Sequence, residues 1–381
     1  MTATLDCEIG SEIDGSIEMV CNYSLPSEAV NNNAEKTPVM LDIYDDLFNE
    51  VMDELKIDFS SNFTSELGEI EQDQLSRKFK QFFDHSVFGG RLTRSRLSFA
   101  VYESLKPNSG KLELKKALSV LMSIELLQAV FLVVDDIMDS GETRRGKPCW
   151  YKMPGVGMGA LNHALRLQNF VNLSIMKNIP DHKNLHLILR TMWETIQTTS
   201  DGQELDEVSG SSIDFCTFGR YSKIVANKTS RYTFYYPISI ALLLADKTDH
   251  LPQALEISNA LGYYFQAQDD YLDFLDNDQV TGKTSCDIRE GKCTWFACKT
   301  IEKLKENPEK LKRFSECYGS SNPNLISEAH QIMLNCNLLE EFKEFEETTV
   351  SKLKLNISKF PVKEIRPALE FILKKLHGRK K

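Results

Sequence analysis

Residues 126–151 read LLQAVFLVVDDIMDSGETRRGKPCWY: an apolar run that ends in three aspartates, Asp135, Asp136 and Asp139, followed by Arg144 and Arg145. The run begins further back. From Ala117 to Val134 only Glu125 is ionisable, and the lack of a polar face over that length implies a helix surrounded by other helices. The length also falls at the lower limit for a membrane span. Glu125 and Gln128 within it, and the acids at its end, fit a protein interior better, so no transmembrane span is expected. A buried carboxylate is costly unless paired, so a cation must meet the aspartates where this helix ends.

The rest of the chain bounds the answer. Its 381 residues, 41% hydrophobic, are enough for one large helical domain or two ordinary ones. Fifty-five acids against 45 Lys and Arg leave a net charge of −10, which argues against nucleic acid or an anionic membrane as the main partner. The nine cysteines are scattered without paired metal-site spacing and are read as reduced thiols. Residues 1–40 are acidic and Asn-rich, with Lys36 as their one base, unlike a transit peptide. They are expected to form a mobile arm before an all-α domain at 41–381, and a cytoplasmic location is expected. Apolar residues recur at helical spacing over Leu41–Ile57, Leu75–Phe88, Leu185–Ile196, Ile238–Leu244, Leu251–Tyr271 and Trp295–Leu304, and no series of hairpin-linked strands interrupts them. Two polar, glycine-bearing stretches, Ser140–Ala160 and Asp276–Gly291, read as loops.

The acidic motif occurs twice. GYYFQAQDDYLD, residues 262–273, carries Asp269, Asp270 and Asp273. In each copy the first and last aspartates are four apart, about 40° apart in projection on one helix face. A single such motif is also what a solvated helix end gives. Two copies, each closing an apolar helix and each followed by bases, Arg144 and Arg145 or Lys283 and Lys292, suit divalent cations shared with a diphosphate. Magnesium is the expected ion, with manganese able to substitute. HExxH, the P-loop pattern and GxSxG are all absent, as are the Glu-x-x-His pairs of a di-iron bundle.

From about Phe88 onward the chain resembles the trans-isoprenyl diphosphate synthases, farnesyl diphosphate synthases in particular. The resemblance is carried by ELLQAVFLVVDDIMDSGETRRGKPCWYKMPGVG, the GQELD around Gln203, NKTSRYTFYYPI from Asn227, YFQAQDDYLD, and VTGKTSCDIREGKCTW. It implies a single all-α bundle of isoprenoid synthase type around a central cavity, and a homodimer. It implies that Asp135, Asp136, Asp139 and Asp269 bind the metal ions, with Asp206 a further nearby acid. Arg144, Lys228, Lys283 and Lys292 would hold the allylic diphosphate, Thr229, Gln266 and the neighbouring backbone would face the developing carbocation, and Lys228, Thr229 and Gln266 would be the catalytic residues. Arg91, Arg94, Gln128 and Arg145 would hold isopentenyl diphosphate. Such chemistry needs electrostatic stabilisation of a leaving diphosphate and a dry pocket for the cation, not a protein nucleophile.

The chain departs from the family at three points. GGKxNRG is here GGRLTRS, with Arg91, Thr93 and Ser95; GKIGTD is GKTSCD; and the positions before the first acid motif that are commonly aromatic are Val130 and Phe131. The first change bears on isopentenyl diphosphate binding, and Val130 reshapes the chain pocket. Condensation of an allylic diphosphate with isopentenyl diphosphate is the expected activity. A terpene synthase, which ionises the allylic diphosphate without adding an isopentenyl unit, is the alternative, and a non-catalytic regulatory member a third reading.

Overall fold

A computed structural model describes residues 41–63, 66–275 and 286–377 of the chain; the acidic segment 1–40 and Lys283 lie outside them. Within the described residues the protein is all-α, the only strands being a two-residue hairpin, Thr143–Arg144 against Lys147–Pro148. The helices form where apolar residues recur at three- and four-residue spacing. Asp45–Ser61 opens with two acids at its positive end and buries Leu47, Phe48, Val51, Met52, Leu55 and Phe59 along one face. That face meets Phe79, Phe82 and Phe83 of Glu69–Ser86. Phe59 lies within 5.6 Å of Phe79, ring centre to ring centre. Each such side chain, fully buried, contributes about 1.5–3 kcal/mol.

The apolar run read as one helix is two. Lys111–Leu121 and Ser123–Met138 meet at Met122, whose carbonyl accepts from Glu125 N at 3.0 Å in a tightened turn. Across the most apolar window of this run 83% of the residues are buried, as in the core helix of a bundle. The expected loop at Ser140–Ala160 contains the small hairpin and a 3₁₀ turn, Trp150–Lys152, before Gly159–Asn178 begins. The second expected loop ends in a short helix, Cys286–Glu290.

A distortion further along the chain has no proline or glycine to mark it. Between Phe218–Ile224 and Tyr236–Leu244 the backbone widens into a π-helix, Val225–Tyr235, in which Tyr236 N donates to Arg231 O. This wider segment lies between Leu185–Ser209 and Leu251–Leu275, the helices that carry Asp206 and the second acid motif. Glycine makes both approaches possible. A Cβ on Gly202 would stand 2.3 Å from Lys228 N, and one on Gly262 would stand 2.0 Å from Ser230 Oγ. The core has two parts: a large cluster around Ser123–Met138 and Tyr236–Leu244, and a smaller one around Trp295, Phe296, Phe314 and Phe342. Cysteines 149, 216, 293, 298, 317 and 336 are all unbridged.

Candidate active site

Two lysines meet the aspartates of the first acid motif. Lys228, in the π-helix, places Nζ 2.6 Å from Asp206 Oδ2 and 3.9 Å from Asp135 Oδ1. Burial disfavours its charge, but Asp206 and Asp135 outweigh burial and hold the ammonium above its ordinary value. Lys292 Nζ lies 3.4 Å from Asp139 Oδ2 and 2.8 Å from Glu290 Oε2. Desolvation likewise opposes its charge and is outweighed by Asp287, Asp139 and Glu290. Burial, opposed by Lys292, raises the Asp139 carboxyl. On the second motif Asp273 Oδ2 accepts from Asp287 N at 3.3 Å. Desolvation and the Asp273 carboxylate push Asp287 well above the usual carboxylate range. Asp287 and Glu290 are further candidate site residues, absent from the sequence reading although both lie in VTGKTSCDIREGKCTW.

The three aspartates of the first motif do different things. Asp135 and Asp139 share the face that meets the lysines. Asp136 is 6% exposed and is engaged by Arg144, whose Nε donates to Asp136 Oδ1 at 2.6 Å while its Nη2 lies 3.0 Å from Asp135 Oδ2. Adjacent residues on a helix are about 100° apart, so the middle aspartate cannot join its neighbours on one face. Asp270, the middle residue of the second motif, is buried too. It accepts from Trp295 N at 2.8 Å and from Gln266 Nε2 at 3.0 Å, and burial pushes its carboxyl up to about 7 against those bonds. Gln266 Oε1 in turn accepts from Thr229 Oγ1 at 2.7 Å. With its proton committed to Gln266, Thr229 keeps lone pairs for a neighbouring cation.

A second basic cluster gathers around Gln128, about two helical turns before Asp135. Arg94 donates to Thr233 Oγ1 at 3.0 Å, and its guanidinium stands 4.9 Å from the centre of the Tyr232 ring. In the amide orientation that satisfies both neighbours, Gln128 Oε1 accepts from Arg94 Nη1 at 2.9 Å and its Nε2 donates to Glu125 Oε2 at 3.2 Å. Arg145, in left-handed backbone geometry, places its guanidinium against Gly90, where a Cβ would stand 3.2 Å away. Arg91 is exposed on the loop before Thr93–Leu105. Ser95, where the family pattern has glycine, sits inside that helix and needs no glycine freedom; the left-handed residue is Leu92, at φ 49°. Phe131, one turn before Asp135, packs edge-on against Tyr232 with centroids 5.4 Å apart, while Val130 is buried in the main core.

All the metal-ligand candidates offer carboxylate oxygen. Among the described residues no three carboxylate, imidazole or thiol groups form a closed cage. Two carboxylates per helix suit a hard divalent cation that completes its shell with water and substrate oxygens.

Comparison with known proteins gives the same assignment from several directions. Residues 76–334 match the family model described as polyprenyl synthetase. The chain is 33% identical over 345 residues to farnesyl pyrophosphate synthase 1 of Cannabis sativa, covering 87% of this chain and all of that protein. It is 33% identical to the farnesyl pyrophosphate synthase of Rattus norvegicus over 76% of this chain and 84% of the relative. Among solved structures, a T. brucei farnesyl diphosphate synthase complexed with risedronate superposes with a TM-score of 0.79 at 26% identity, over 90% of this chain and 99% of the other.

Proposed function

Because this chain belongs to the polyprenyl synthetase family, we propose that it is a short-chain trans-prenyltransferase, condensing an allylic prenyl diphosphate with isopentenyl diphosphate to give farnesyl diphosphate or a close relative. One observation carries the reading: a single π-helical segment supplies both halves of the reaction. Its Lys228 and Thr229 stand at the acid motifs, and its Tyr232 and Thr233 hold Arg94 of the second basic cluster.

The family implies a divalent metal cofactor. We assign it as magnesium, with manganese as substitute, held by Asp135, Asp139 and Asp269 together with the allylic diphosphate. Such an ion, when bound, neutralises charge on the departing diphosphate. Lys228, Lys292 and Arg144 supply fixed positive charge for the same group, with Lys283 as a further donor, and Asp206 and Asp136 hold two of those cations in place. Thr229, fixed by Gln266 and Asp270, turns oxygen lone pairs to the allylic cation. Arg94, Gln128, Arg145 and Arg91 hold isopentenyl diphosphate, so that its double bond meets the cation near Phe131 and Tyr232. Apolar walls exclude water, which would otherwise capture the cation. The intact Arg94–Gln128 pair favours condensation over the terpene synthase reading.

The assembly we assign is a homodimer. Met158, Leu165, Leu173 and Met176 form one exposed apolar stripe along Gly159–Asn178 and its entry turn, a surface suited to a second copy. We assign a cytoplasmic location, a reducing compartment that suits the cysteines found unbridged among the described residues. The deciding experiment is incubation of the pure protein with magnesium, an allylic diphosphate and labelled isopentenyl diphosphate. Labelled prenyl diphosphate is the expected product. Release of diphosphate and hydrocarbon without incorporation, across several allylic chain lengths, overturns the proposal.

A further inference from the structure

Glu125 is the only ionisable residue in the apolar run, 6% exposed, and its two oxygens are both occupied. Oε1 accepts from Ser95 N at 3.0 Å and from Ser95 Oγ at 3.0 Å, the same hydroxyl standing 3.1 Å from Leu92 O, where the charged acceptor forms the stronger bond, and Oε2 accepts from Gln128 Nε2 at 3.2 Å. Ser95 is fully buried. A carboxylate in this position is retained only if its bonds are made, and bonds to a charged acceptor are stronger than neutral ones. The connection continues outward: Gln128 Oε1 accepts from Arg94 Nη1, and Arg94 is braced on its far side by Thr233 and Tyr232. Desolvation works against the charge of Arg145, and Glu125 opposes this, so the same carboxylate acts on Arg145 as well as on Arg94.

We propose that Ser95 and Glu125 form a positioning pair for the homoallylic diphosphate site, in which the Ser95 hydroxyl fixes the Glu125 carboxylate and the carboxylate fixes Gln128 and Arg94. The serine therefore takes part in specificity at the point where the chain departs from the family pattern. A glycine there leaves the backbone N–H as the sole donor from this residue, and Oε1 loses one of its two partners. Glu125 is also free to turn from Gln128 once that partner is gone. Arg94 then samples more orientations, and a bidentate site loses affinity when its fork is no longer held. The effect belongs to one substrate, because among the described residues the Ser95–Glu125–Gln128–Arg94 bonds do not extend to the Asp135–Lys228–Asp206 cluster.

The inference rests on the reading that isopentenyl diphosphate binds beside Arg94, and its test separates the two. Ser95→Ala, Ser95→Gly, Glu125→Gln and the double variant Ser95→Ala/Glu125→Gln are compared with the full-length parent. The readouts are steady-state kinetics in both substrates and calorimetric titration of isopentenyl diphosphate alone. Ser95→Ala and Ser95→Gly are expected to raise KM and Kd for isopentenyl diphosphate about fivefold to tenfold, with kcat and the allylic KM within about twofold. Glu125→Gln should raise them at least about tenfold, and the double variant should be no worse than Glu125→Gln, since the serine acts through the acid. Unchanged isopentenyl diphosphate affinity in the serine variants, an equal rise for both substrates, or additive effects in the double variant overturns the inference. Should Glu125→Gln fail to fold, the two serine variants decide alone. No incorporation of isopentenyl units by the parent protein overturns the functional reading instead.

Discussion

Lys228 Nζ and Asp206 Oδ2 are 2.6 Å apart, although the two residues belong to different helices and the lysine is carried on a widened turn. Gly202, one turn before Asp206, is what lets that turn come so close. The pair keeps a half-buried ammonium charged where desolvation alone would favour its neutral form.

Removing the carboxylate charge should therefore change the pH profile as well as the rate. In Asp206→Asn the leading favourable interaction is gone and burial lowers the Lys228 value. The alkaline limb of kcat/KM is expected to move to lower pH than in the parent. A limb that stays in place would show that Asp206 does not maintain the lysine.

Asp135→Ala and Asp269→Ala should each lower turnover at least about a hundredfold, because each removes an oxygen donor from the proposed metal and diphosphate site. Chelation should abolish activity, with recovery on adding magnesium. Circular dichroism should show the helices intact.

Gly202→Ala places a methyl group 2.3 Å from Lys228 N, against backbone that cannot rotate away. A loss of roughly 1–3 kcal/mol is expected from such overpacking. The allylic KM should rise as well, because the displaced segment carries Lys228 and Thr229. Thermal melts and kinetics on the same preparation check both.

Phe131 stands one turn before Asp135 and packs on Tyr232. Phe131→Ala should open volume along the growing chain and lengthen the product. Val130→Phe should instead strain the core or redirect the product, since Val130 is buried there. Chromatography of the dephosphorylated products distinguishes the two.

His85 and His163 flank Trp150, with ring centroids 5.1 and 5.9 Å from the indole. Trp150 Nε1 donates to His163 Nδ1 at 3.0 Å. Burial lowers both imidazoles below their ordinary value, with Lys147 adding to the effect at His85 and Lys78 at His163. The unfolded chain then binds protons that the folded one refuses, so stability should fall as pH drops below about 6.5, the ordinary imidazole value. His163→Gln should flatten part of that slope in melts taken between neutral and mildly acid pH.

Local pattern was enough for the all-α class, for most helix positions and for the two acid motifs, because periodicity and four-residue spacing are properties of the chain itself. The lysines and arginines were legible as residues through the family resemblance. Their partners were not. That Asp136 turns away to hold Arg144, that Lys228 and not Lys292 meets Asp206, and that Ser95 closes on Glu125 depend on which helices lie side by side. The break at Met122 and the π-helix at Val225–Tyr235 were likewise invisible, since neither contains a proline or glycine to mark it. Both are backbone distortions, and the packing that accompanies them, with Gly202 and Gly262 admitting the wide segment between two helices, exists only once the bundle has formed. The sequence by itself determined which groups are candidates to meet a diphosphate; tertiary packing decided which of them touch, because contacts between groups tens of residues apart are set by the shapes of intervening helices and not by their order in the chain.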